Sequence, residues 1–100
     1  MHFNDNSLKS FFEKLYGMPY DDNIAHKHKG ITCEDFARRL LLTLPERYRD
    51  VMIMRLGLND QKPMILREIA KCINRTTERV RQIESKALRL MRKASAYGTF

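Results

Sequence analysis

Tryptophan is absent from this 100-residue chain, and conformational breakers are scarce, with four glycines and three prolines. A β-sandwich or barrel would need a turn signal about every 8–12 residues, so this scarcity favours an all-α fold. The two cysteines, Cys33 and Cys72, stand far apart and outside any CxxC or CxxH pair. That argues against a disulfide framework and a closed zinc site, and for reduced thiols in the cytoplasm. No run of about 18 apolar residues exists to span a bilayer. The first residues, MHFNDNSLKSFFEKLYGM, lack the basic-then-apolar layout of a secretory signal. Residues able to do covalent or acid–base chemistry are equally few. Cys33, Cys72, His2, His26 and His28 fall on apolar stripes or in a polar loop, without triad or metal spacing. Neither an enzyme nor a metal or cofactor is expected.

What is abundant is positive charge, at a net +7, and it is unevenly spread. In residues 1–30, Lys9, Lys14, Lys27 and Lys29 balance Asp5, Glu13, Asp21 and Asp22, so the excess lies entirely in 31–100. Residues 75–95 carry seven Lys/Arg against Glu78 and Glu84. A basic C-terminal segment beside a neutral N-terminal one points to an anionic partner at one end of the molecule.

Apolar periodicity predicts five helices, near 7–16, 33–43, 45–56, 65–73 and 76–95. In the first, Asn6-Ser7 can cap a stripe of Leu8, Phe11, Phe12, Leu15 and Tyr16, closed by Gly17 and Pro19. This stripe can pack on its own chain, cover a partner-binding groove or form a dimer seam. Self-packing is the simplest, because a lone helix this short is marginal. DDNIAHKHKG reads as a linker. Thr32, with Asp35 three residues on, caps a helix bearing Cys33, Phe36, Ala37, Leu40, Leu41 and Leu44. Pro45 opens the next, whose apolar face is Tyr48, Val51, Met52 and Leu56. Gly57 suits the left-handed residue after its end, with Leu58 folding back. Met52, Met54, Met64 and Met91 read as core filler. Leu66, Ile69, Ala70 and Ile73 form the fourth stripe, and Asn74 tolerates the positive φ that a sharp break needs. Thr76 then caps a long helix whose core face is Val80, Ile83, Ala87, Leu90 or Met91, and Ala94. The tail YGTF reads as frayed.

The last two helices, with small Ala70 allowing a close crossing, make a helix-turn-helix pattern. Opposite its apolar stripe, the second helix exposes Thr77, Glu78, Arg81, Gln82, Ser85 and Arg89. Arg can grip guanine, Gln can pair with adenine, and Glu can accept from cytosine N4 in the major groove. The basic residues Arg75, Arg79, Lys86, Arg92 and Lys93 suit phosphate contacts, which position without specifying.

The runs LPERYRDVMIMRLGL (44–58) and ILREIAKCINRTTERVRQIESKALRLMRK (65–93) resemble region 4 of the sigma-70 family of bacterial RNA polymerase sigma factors. The most specific part is TTERVRQIESKALRLMR, which is similar to the family's recognition helix. The resemblance covers about residues 31–95, with 1–30 as a short helix and linker and 96–100 as a tail. It implies a domain that binds the −35 promoter element of double-stranded DNA and docks on the β flap of the polymerase, in the cytoplasm and at the nucleoid. Glu78 and Gln82 match base-reading positions. Arg79 and Arg81 match basic positions, Arg81 lying toward the DNA backbone, where Arg75, Lys86 and Arg89 also belong. Thr77 departs from the pattern: the family usually has there an Arg that reads a guanine.

Residues 1–30 match nothing recognisable in the regions that bind and melt the −10 element. As a whole protein the chain would not open a promoter alone; as a fragment, 1–30 would be upstream linker. The stripes at 36–44 and 48–56 offer more apolar surface than one short helix can hide. Leu40, Leu41, Leu44, Val51, Ile53 and Leu56 are therefore expected to include a residual groove, and the resemblance implies that the flap-tip helix lies in it. A second reading remains open at this point, a protein-interaction module that holds the flap, an anti-sigma factor or a partner sigma protein with little DNA readout. Thr77 favours it; Glu78, Arg81 and Gln82 favour promoter reading.

Overall fold

A computed structural model describes residues 1–17 and 32–96. Among the described residues there are five helices and no strand: α1 (Asp5–Tyr16), α2 (Cys33–Leu42), α3 (Glu46–Leu56), α4 (Leu66–Ile73) and α5 (Thr77–Ala96). The linker with His26 and His28, Pro19, and the YGTF tail lie outside the described residues.

Local chemistry explains the boundaries. The start of α1 is a correction: its cap is Asn4, not Asn6-Ser7. The Asn4 side chain accepts from the Ser7 amide at 2.8 Å, and Ser7 Oγ accepts from the Asn4 amide at 2.9 Å. Capping two residues early places Phe3 just outside the helix, where its ring meets Phe11 edge-on at 5.8 Å and is buried. Thr32 caps α2 through the Asp35 amide (3.1 Å), and Thr76 caps α5 through the Arg79 amide (3.0 Å).

The end of α3 requires glycine. Gly57 has φ 68°, and a Cβ there would lie 2.6 Å from both the Gln61 carbonyl oxygen and the Pro63 nitrogen. The Leu58 amide then donates back to the Ile53 carbonyl (3.1 Å), and its side chain is fully buried.

The helices share two apolar clusters. The larger joins Phe3, Phe11, Phe12 and Leu15 to Phe36, Ala37, Leu40, Leu41 and Leu44 from α2 and its end, Met52 and Leu56 from α3, Leu58, and Ala87 and Met91 from α5. The smaller joins Val51, Ile69, Ala70, Val80 and Ile83 beneath the helix-turn-helix. The first stripe therefore packs on its own chain, with α1 lying against α2, α3 and α5. The Phe12 ring stacks on Phe36 at 6.2 Å. Met52 and Met91 fill the core, while Met54 and Met64 are half-buried.

Candidate nucleic-acid interface

The site is built at the α4–α5 break. Asn74 takes φ 55°, and its amide and that of Arg75 both donate to the Ala70 carbonyl, closing α4 and turning the chain sharply. Ala70 is 5% exposed, at the crossing where a larger side chain would hold the helices apart. Val80, Ile83, Ala87 and Met91 are all fully buried. At 3.6 residues per turn this fixes the opposite face of α5: Glu78, Gln82, Ser85 and Arg89 run along its middle, all exposed. Thr77 is exposed in the first turn.

Glu78 is joined to Arg81, also exposed, one turn further along α5. Arg81 grips Glu78 with two parallel hydrogen bonds, Nε to Oε2 at 2.9 Å and an Nη to Oε1 at 2.5 Å. The guanidinium beside it holds the Glu78 carboxyl below its ordinary value, helped by Gln82, and Glu78 in turn raises Arg81. Glu78 is thus ionised throughout the physiological range, and a phosphate must compete with it for Arg81. Arg75, Arg79 and Arg89 are exposed and make no ion pair among the described residues. Lys86 sits with its ammonium 5.5 Å above the Tyr48 ring. Its charge is steadied there without being neutralised.

Arg92 differs from the expectation that it contacts phosphate. Its guanidinium donates to the carbonyls of Leu15 and, at 2.9 Å, Lys14, capping the C-terminal end of α1. The groove also differs. Leu40, Leu41 and Val51 are fully buried, Leu56 is 1% and Leu44 3% exposed, and only Ile53 is half-buried. The physical reason is twofold. α1 supplies the cover for the leucines, and Val51 turns into the second cluster under the helix-turn-helix.

Sequence reasoning passed over two features. Arg67 and Lys71 lie one turn apart on the exposed side of α4, the helix that crosses the backbone in this motif. Their i, i+4 spacing opposite Ile69 and Ala70 was the available signal. Glu84 is only 14% exposed and holds Arg55 Nε (2.9 Å) and Lys14 Nζ (3.3 Å), joining α5 to α3 and α1. An acid on the flank of a basic helix carries no signal of its own for such a link.

The described residues thus present two helices joined by a sharp turn, the second carrying an exposed face rich in Arg and Lys. The chain belongs to the sigma-70 region 4 family, whose model matches residues 40–93. It is 42% identical over 88 residues to RNA polymerase sigma factor SigA1 of Synechococcus elongatus, covering 88% of this chain and 21% of that protein. It is 41% identical to SigA of Microcystis aeruginosa, over 88% of this chain and 20% of that one. It is 44% identical over 72 residues to the sigma-C factor of a Nostoc species, over 63% and 17%. The chain therefore spans about a fifth of the length of these relatives. The first alignment leaves only twelve of the 100 residues unmatched, so it includes part of residues 1–30 as well. No solved structure matches significantly. None of the described helices is long and apolar enough to cross a membrane.

Proposed function

We propose that the chain is a transcription-initiation module that reads −35-type promoter DNA with α5 and docks on the β flap of RNA polymerase. The observation that carries this reading is the α4–α5 geometry. Thr77, Glu78 and Gln82 are exposed in the first two turns of α5, with Arg75, Arg79, Arg81, Lys86 and Arg89 nearby in sequence, in a chain of the sigma-70 region 4 family. Thr77, Glu78 and Gln82 address base edges, and the cations address phosphates. Arg67 and Lys71 add grip from α4.

Polymerase contact sets affinity for the transcription complex in this reading. One small module neutralises few phosphates and has no symmetric partner to double its contacts. Tethering to polymerase raises the local DNA concentration into the mM range, so a weak reader suffices. The α2–α3 layer is the docking region, and Ile53 is its accessible edge.

The alternative, an interaction module for the flap or an anti-sigma factor with little DNA readout, is favoured by one observation. Thr77 is short and uncharged where the family usually carries a guanine-reading Arg. Two measurements decide. Polymerase pull-down from host extract, with and without competing sigma factor, tests the polymerase partner. Duplex binding against salt should give a log–log slope of roughly −4 to −5 if four to six phosphates are neutralised. A slope near zero leaves only the interaction module.

A further inference from the structure

α1 occupies the surface that the sequence leaves for a partner. Phe3, Phe11, Phe12 and Leu15 share one buried cluster with Leu40, Leu41, Leu44 and Leu56. Around this apolar contact the arm is held by polar clasps. At its C-terminal end Lys14 pairs with Glu84, Arg92 takes the Leu15 and Lys14 carbonyls, and the Tyr16 hydroxyl meets Ser95 Oγ at 3.2 Å. At the other end the His2 amide donates to Asn59 Oδ1 (2.7 Å), the Asn59 amide returns a bond to the His2 carbonyl (2.8 Å), and Arg38 Nε donates to the Met1 carbonyl. Several of these clasps lie on α5, the proposed DNA reader.

We propose that α1 is a resident and exchangeable ligand of a helix-docking surface on α2, α3 and α5, and that the flap helix binds by displacing it. α1 itself specifies the chemistry of a competitor. It is an amphipathic helix with adjacent aromatics (Phe11, Phe12) and a leucine one turn on (Leu15). A cation just before that leucine reaches Glu84, and its terminal carbonyls face Arg92. Occupied by α1, the surface is closed to partners and Arg92 is withheld from DNA; displacement frees both. The identity of the natural competitor rests on the polymerase reading, whereas the exchangeable surface does not.

The test uses the full chain and Lys14→Glu, which sets a like charge against Glu84 and leaves the buried apolar residues intact. The two probes are a labelled peptide of residues 1–17 of this chain and a peptide of the polymerase β-flap tip helix. Amide exchange over residues 5–16 should quicken about tenfold in the variant. Affinity for the 1–17 peptide should rise by a similar factor, since the fraction of open surface scales apparent affinity. The flap peptide should gain equally and compete with the 1–17 peptide. Faster exchange with unchanged or weaker binding of the 1–17 peptide overturns the proposal. Binding of the 1–17 peptide without competition from the flap peptide overturns the polymerase reading and supports the exchangeable surface. If Lys14→Glu melts the chain, Tyr16→Phe removes only the hydroxyl contact to Ser95, and the same comparison should show a gain of about threefold.

Discussion

Glu78→Gln is the most direct probe of the DNA contact proposed for α5. In the free chain, Glu78 holds Arg81 through two charge-assisted bonds, so a phosphate gains Arg81 only by displacing a carboxylate. Glutamine keeps the length and a hydrogen-bonding head toward Gln82 but removes the charge. Arg81 is then free to neutralise one more phosphate. Counterion release assigns each phosphate contact about 0.9 in the slope of log K against log salt. Extrapolated from 1 M to about 0.15 M salt, one added contact raises affinity for random duplex by about fivefold. The salt slope should steepen from roughly −4 or −5 to roughly −5 or −6. On the best promoter-like site, the same change should weaken preference at one base pair, because the amide that replaces the acceptor-only carboxylate also carries N–H donors and no longer selects cytosine N4 over adenine. Fluorescence anisotropy on a random and a −35-type duplex, from about 50 to 200 mM salt, reads both effects. An unchanged slope with unchanged random-duplex affinity would refute the reasoning, for Arg81 would then not face the backbone.

Gln82→Ala should relax base preference at one position and cost roughly 1–3 kcal/mol on the best site, whereas Arg81→Ala added to Glu78→Gln should cancel that variant's gain evenly on all sequences. Thr77→Arg should raise preference for guanine-containing −35-like sites, and equal strengthening of every sequence would show that position 77 does not face bases. Ile53→Asp should fold and lose polymerase in pull-down while retaining weak DNA binding. Leu56→Asp, which buries an unpaired charge at a site 1% exposed, should cost about 3–5 kcal/mol and lose its cooperative melt. Gly57→Ala combines a strained φ with the 2.6 Å approach to Gln61 and Pro63, and should cost about 1–3 kcal/mol. Each kcal/mol should appear as about 4–8 °C of Tm in calorimetry.

Local signals carried far in this chain. The caps at Thr32 and Thr76, the left-handed residues Gly57 and Asn74, and the small crossing residue Ala70 are each visible as a residue type at a fixed offset from an apolar stripe. All five take those roles in the structure. α1 began earlier than its stripe suggested because an asparagine–serine capping box, not the first apolar residue, sets a helix start. The groove was misjudged for a different reason. Periodicity tells which side of a helix is apolar, not which neighbour covers it. Val51 and Leu56 share the apolar side of α3, yet one enters the smaller cluster and the other the larger. The pairing of Glu84 with Lys14 and the diversion of Arg92 were illegible too, because they join residues seventy or more positions apart.

α5 has to satisfy three neighbours at once, and its register divides them. Val80, Ile83, Ala87 and Met91 face the core, while Glu78, Gln82, Ser85 and Arg89 face solvent on the opposite side. Glu84 and Arg92 lie on the α1-facing flank between the two. A ligand on the solvent face therefore touches a helix whose flank already holds α1. Any force that draws Arg92 toward a phosphate takes a cap away from the last carbonyls of α1, and anything that removes α1 returns Arg92 to solvent. By linkage, DNA binding and α1 release must then favour each other to the same degree. The measurable form is that saturating −35-type duplex should quicken amide exchange in residues 5–16 of the wild-type chain. It should do so less in Arg92→Gln, where the cap is already gone. Equal acceleration in both would show that the two faces of α5 communicate by some route other than Arg92.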